Sequence, residues 1–185
     1  MLSWVPIVLL ALVCVGFAAC GSDGDSDGGS NPGAPGSANV LSVEGQSATL
    51  AYAYWASGNV LIYSFSFEEF QRTQQFPEVS SFISIQAPEW ASASELPVGE
   101  FKNFRVDLGI NVSPKQGSHG PMIEANYDGD SQGTANLKIT KSGDVYTIVI
   151  SNLTLTTEEG GQEKDVPNFS FAFTGPVQTF NGEVK

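Results

Sequence analysis

A single histidine, His119, and two cysteines, Cys14 and Cys20, are all the imidazole and thiol chemistry in 185 residues. His119 lies in Gln116-Gly117-Ser118-His119-Gly120. A serine hydrolase needs an imidazole held by packing between a nucleophile and a carboxylate. A glycine-rich loop supplies no such packing. A zinc site needs several His or Cys ligands, more than the body of the chain contains. Carboxylates remain. Glu68, Glu69, Glu89 and Glu124 are candidates for paired acid–base work on glycosidic bonds, but no spacing singles out a pair. The residues point away from catalysis, and no cofactor is expected.

Metal and ligand candidates are few. Asp23-Gly24-Asp25-Ser26-Asp27-Gly28 has the oxygen ligands of the first half of a calcium loop. The twelfth position, where a bidentate Glu closes such a loop, is Ala34. The run therefore reads as a solvated tether. Asp128 and Asp130, either side of Gly129, are candidates for weak calcium binding and equally make an ordinary hairpin loop. Trp55 precedes Ala56-Ser57-Gly58, and Trp90 follows Ala87-Pro88-Glu89. Tryptophans beside loops stack on sugar rings or anchor a protein partner. Trp55 and Trp90 are thus the candidate ligand-contacting aromatics.

The chain that must position these residues begins with an apolar run, Val5 to Phe17. About twenty apolar residues are needed to span a bilayer as a helix, and this run is shorter. Small residues follow it, which is the outline of a secretory signal peptide. Phe17-Ala18-Ala19-Cys20 resembles the lipobox of bacterial lipoproteins, with Phe17 where Leu is usual. The resemblance implies removal of residues 1–19 and acylation of Cys20 with diacylglycerol and a further acyl chain. Several acyl chains hold a protein stably on a membrane where one does not. No Asp directly follows Cys20, and by the same resemblance the destination is the outer membrane, facing either the periplasm or the exterior.

Residues 21–39 contain only Gly, Ser, Asp, Asn, Pro and Ala. Such a segment cannot bury enough apolar area to offset its chain entropy, so 20–39 reads as a lipid anchor and flexible tether. Residues 40–185 are then one domain, long enough for one core. It has no Cys, hence no disulfide. Three of the twenty acidic residues lie in the tether. The domain therefore carries seventeen acids against eight bases, a net charge of −9 within a total of −12. No Lys/Arg cluster occurs, and phosphate backbones would be repelled, which argues against a nucleic-acid partner.

Period-two alternation dominates the domain. Leu50, Tyr52 and Tyr54 fall on one face, and so do Leu61, Tyr63, Phe65 and Phe67. The same pattern runs through Phe104–Val112, Ala135–Ile139, Tyr146–Ile150 and Phe169–Phe173. Strands are expected near 40–44, 48–55, 60–67, 80–86, 103–112, 121–127, 133–141, 144–155, 166–174 and 176–180. Lys141-Ser142-Gly143-Asp144 is expected as a hairpin turn, and 67–75 is the sole helix candidate. Many short strands at this spacing imply an all-β, antiparallel β-sandwich. The alternative is an up-and-down, calycin-like barrel with a cavity lined by Tyr52, Tyr63, Phe65 and Phe171.

The stretch Gly133 to Ile148 is similar to a hairpin of bacterial lipoproteins of uncharacterised function, with a G-x-x-x-L-x-I strand, a Lys/Gly turn and a Y-x-I strand. Leu96-Pro97-Val98-Gly99-Glu100-Phe101 resembles a turn that precedes it there. These are turn and core positions and imply no activity. The chain reads as a membrane-anchored, non-enzymatic binding or surface-interaction module with a carbohydrate or protein partner. The alternatives are a carrier of a small apolar ligand and a polysaccharide-acting enzyme.

Overall fold

Tight turns with positive φ define the hairpins. In a computed structural model, residues 38–75, 77–112, 123–128, 135–159 and 162–180 are described. Strands β1 (Val40–Val43) and β2 (Gln46–Thr49) are joined by Glu44 and Gly45, at φ 49 and 80. Strands β3 (Tyr52–Ala56) and β4 (Asn59–Tyr63) are joined by Ser57 and Gly58, at φ 48 and 82. Two central residues at positive φ give a turn whose twist matches that of the strands. A short helix, α1 (Phe67–Thr73), leads to β5 (Ser80–Gln86) and a single 3-10 turn, Pro88–Trp90. Strands β6 (Gly99–Phe101), β7 (Arg105–Val112) and β8 (Ile123–Asp128) follow. The long strands β9 (Asn136–Ser142), β10 (Val145–Glu159) and β11 (Gln162–Thr179) complete the order. The expected turn between β9 and β10 forms, with Gly143 at φ 59.

The fold is all-β and fits a β-sandwich. Strands β1 and β2 form one small sheet, and the remaining nine are ordered β11-β3-β4-β5-β7-β8-β10-β9-β6, with β11 also paired to β10. Among the described residues no closed barrel forms, and strand β8 meets β10 through two residue pairs, Asn126 with Thr156 and Ala125 with Thr157. Strand β10 lies beside β9 up to Ser151 and reaches β8 only beyond its register shifts at Ile150–Leu153 and Leu153–Leu155. Asn152 and, across in β11, Asn168 take left-handed backbone at φ 58 and 60 beside these shifts. Asn tolerates that region better than other side-chain-bearing residues. Bulges of this kind bend a strand so that it can serve both layers. One pairing departs from the antiparallel expectation: β11 runs parallel to β3, Val177 opposite Ala53.

One core contains Val60, Ile62, Ile83, Ile85, Trp90, Phe104, Phe171 and Phe173 among its buried residues. The expected inner faces of β9, β10 and β11 are the ones buried, as is that of β7 from Phe104 to Ile110; Val112 is not in the core. Two faces differ. In β3 and β4 the core receives Ala53, Trp55, Val60 and Ile62, whereas Tyr52, Tyr54, Leu61 and Tyr63 point outward. The chain is irregular at Leu50 and Ala51, which resets the alternation. Phe65 and Phe67 leave the strand altogether. The cavity expected for a carrier is therefore absent as drawn: Phe171 is in the core, Tyr52 is exposed, and Tyr63 and Phe65 pack outside the sheet. The strands expected at 166–174 and 176–180 are one strand, and β6 forms where only a turn was expected.

The chain enters the domain through Asn39. Its N–H donates to the Ala172 carbonyl (2.6 Å). Its side-chain Nδ2 donates to the Thr174 carbonyl (3.2 Å), and its Oδ1 accepts from the Thr174 N–H (2.7 Å). The carboxamide thus occupies the position of a partner strand along β11.

Candidate functional site

The outward aromatics of β3, β4 and β5 form a second apolar cluster, and α1 lies on it. Cross-strand pairing aligns Tyr52, Tyr63, Phe82 and Gly109 in one row. A Cβ at Gly109 would come within 2.7 Å of the Phe82 ring, so the glycine leaves room for that ring. Phe67 is the hub. Its ring meets Tyr54 at 5.1 Å and Tyr63 at 5.0 Å, both nearly perpendicular, with Phe65 at 5.3 Å and Phe180 at 5.9 Å. Edge-to-face pairs at these spacings add stability beyond the area they bury.

Local sequence makes the helix. Ser66 is the N-cap, its hydroxyl accepting from the Glu69 N–H (3.3 Å). Glu68 and Glu69 sit in the first turn and Arg72 in the last, in keeping with the helix dipole. Gln74, left-handed at φ 54, closes it with its N–H on the Phe70 carbonyl (2.7 Å). A seven-residue helix is not stable by itself; it is held by the sheet. Besides the Phe67 ring there is a polar joint. The Tyr54 hydroxyl donates to Glu68 Oε2 (3.0 Å) and accepts the Phe67 N–H (2.9 Å). Ser66 Oγ donates to the same carboxylate oxygen (2.7 Å). The Ser66 hydrogen bond, helped by that from Tyr54, holds the Glu68 carboxyl below its ordinary range. Burial pushes the Tyr54 phenol up, and the Glu68 charge adds to it.

No residue of α1 is fully buried, and the cover it provides is partial. Between the helix and the sheet lies a cleft of about 380 Å³. Rings of Tyr52, Phe65 and Phe70 line it, together with Ser64, Ser66, Glu69, Thr73 and Gln75. Its floor is fixed. Ser64 Oγ accepts from the Ser81 N–H (2.9 Å), Ser64 N–H donates to the Ser81 carbonyl (2.9 Å), and Ser81 Oγ accepts from the Asn111 N–H (3.0 Å). Thr73 Oγ1 donates to the Glu69 carbonyl (2.8 Å) and accepts the Gln75 N–H (3.3 Å). These hydroxyls are committed to the protein. The Tyr52 hydroxyl and the Gln75 carboxamide have no hydrogen bond among the described residues, and Tyr52 is 40% exposed. Glu69 carries only a surface ion pair with Arg72 at 3.7 Å, which is worth little.

Neither candidate tryptophan contributes to this cleft. Trp55 is 3% exposed and Trp90 fully buried. Their rings meet at 5.8 Å, and Trp90 packs edge-on to Phe101 at 5.2 Å. The turn at Gly58 presses on the Trp90 backbone: a Cβ there would sit 3.3 Å from its carbonyl oxygen. The exposed stacking platform expected of Trp55 and Trp90 is therefore corrected to two core rings, of which Trp55 also lines a second cleft of about 480 Å³ with Ala93, Thr179 and Phe180.

The other candidates fall as follows. Asp128 ends β8, opposite Arg105 of β7. Cys20, His119 and Asp130 lie outside the described residues. Glu68 is in the polar joint, Glu69 at the cleft, Glu89 in the 3-10 turn, and Glu124 in β8 opposite Gly109. Among the described residues no group of three His, Cys, Asp or Glu side chains is placed to hold a metal ion. No helix among them is long and apolar enough to cross a membrane.

No family model, curated protein or solved structure matches this chain. The site reading rests on the residues alone. Sequence reasoning missed Tyr52, Phe70 and Gln75 as a group. The available signal was that both faces of β3 and β4 are apolar, which calls for cover on both sides.

Proposed function

We propose that this chain is a lipoprotein, acylated at Cys20 and held at the outer membrane, whose β domain is a non-enzymatic binding module. Its ligand site is the cleft between α1 and the outer face of β3–β4. The observation that carries the reading is the partial cover itself: an aromatic-lined cleft in which the Tyr52 hydroxyl and the Gln75 carboxamide lack bonds among the described residues. Its volume lies within the roughly 300–1,000 Å³ typical of small-molecule sites. The lipobox-like Phe17-Ala18-Ala19-Cys20 supports the anchor.

Two measurements test the two halves. Cells fed radioactive palmitate label the wild-type chain, and Cys20→Ser abolishes the label; equal labelling of both would remove the anchor. For the module, a mixture of small organic fragments added to the micelle-held full chain shifts amide NMR signals of residues 64–75. A fragment set that leaves those signals unmoved would remove the cleft as a binding site.

A further inference from the structure

We infer that the cleft under α1 takes the neutral ring of a saccharide. The inference rests on the reading of the domain as a binding module and names the ligand class. A sugar ring has a C–H face that packs on aromatic rings and an edge of hydroxyls that both donate and accept. The cleft offers both features. Tyr52, Phe65 and Phe70 supply ring surface. The Gln75 carboxamide presents two donors and an acceptor, the Tyr52 hydroxyl one of each kind, and the Glu69 carboxylate acceptors only. That is the mixed set which neighbouring sugar hydroxyls require.

Charge narrows the class. Among the described residues Glu69 is the sole charged side chain lining the cleft, and no Lys or Arg lines it. With a chain net charge of −12, phosphorylated or uronic sugars would be repelled. A quaternary ammonium would find one carboxylate, but the rings share the wall with Ser64, Ser66 and Thr73 and do not form an apolar cage. The cleft is also preorganised. The Ser64–Ser81–Asn111 hydrogen bonds and the Tyr54–Glu68 joint set the floor and the helix before any ligand arrives, and a preformed site loses less affinity to ordering.

The test uses the full chain in detergent micelles with maltose, cellobiose and chitobiose as probes and choline as the counter-probe, read by amide signals of residues 64–75. At least one disaccharide shifts these signals, and choline does not. Tyr52→Ala, which loses a ring face and a hydroxyl, weakens that binding about tenfold, and Gln75→Ala about fivefold, the size expected for one or two hydrogen bonds. Both side chains lie at the surface, and an unchanged thermal midpoint shows that the variants fold. Undiminished sugar binding in both variants overturns the assignment. A cleft that responds to fragments or choline but to none of the sugars overturns the saccharide and leaves the binding module standing. A cleft that responds to nothing overturns both.

Discussion

The outer face of β3–β4–β5 and the outer face of β9–β10–β11 are finished in opposite ways. On the first, Tyr52, Tyr54, Tyr63 and Phe82 project from the sheet and a helix is laid over them. On the second, Thr140, Thr147 and Thr174 form a cross-strand row, with Lys138, Val149 and Ala172 in the next. No helix covers it. The Thr147 and Thr174 hydroxyls lie 3.4 Å apart, and Lys138 reaches Glu100 of β6 at 3.1 Å. Small β-branched residues and long amphipathic ones finish a sheet face against water. Aromatic ones need a second layer. A seven-residue helix cannot cover three strands, so the face that demanded cover is also the face left with a cleft.

The contrast can be broken most severely at its hub. Phe67→Ala removes the ring that docks α1. It should lower the unfolding free energy by about 3 kcal/mol, the low end for losing a packed Phe. Urea denaturation measures this. A loss below about 1 kcal/mol, typical of a surface change, would mean that α1 is held otherwise.

Next in size is the polar joint. Tyr54→Phe keeps the ring and deletes the hydroxyl between Glu68 and the Phe67 N–H, at a cost of about 1 kcal/mol. It also tests a pH dependence. The Glu68 carboxyl is held low in the folded state, so its contribution is complete above its unfolded pKa and fades as the pH falls through the lower, folded one. In the wild type this fading appears on acidification. In Tyr54→Phe it is reduced, since one of the bonds to the carboxylate is gone. Equal acid sensitivity in both would place the linkage on Ser66 alone.

Thr147→Ala on the uncovered face should be smallest, within about 0.5 kcal/mol. A larger loss would show that the threonine row carries stability of its own.

Legibility in the sequence follows the same contrast. Strands with one apolar face were readable: Phe104 to Ile110, Leu137 and Ile139, Ile148 and Ile150, and Phe169 to Phe173 face as their alternation indicates, whereas Val112, after the left-handed Asn111, lies beside Gly109 on the other face. The turn at Gly143 was readable because its residues suit few other conformations. In Asn59–Tyr63 both parities are apolar, and hydrophobicity alone cannot say whether Ile62 or Tyr63 looks inward. Packing decides, and branched Val60 and Ile62 win the interior. Trp55 and Trp90 misled for a related reason. Nearness to a loop in sequence says nothing about which side of the sheet a ring occupies. The short β6 was hidden because three residues are too few for a period to register.

Asn39 takes on a mechanical meaning if the chain is held at Cys20 as proposed. Any pull along the polypeptide from its N-terminal side enters the domain there and is passed to Thr174, well inside β11. Thr174 is paired on its other edge with Thr147 of β10. The load is therefore shared with the longest pair of strands among the described residues, as well as with the β1–β2 hairpin, whose Leu50 N–H donates to the Asn39 carbonyl (2.8 Å).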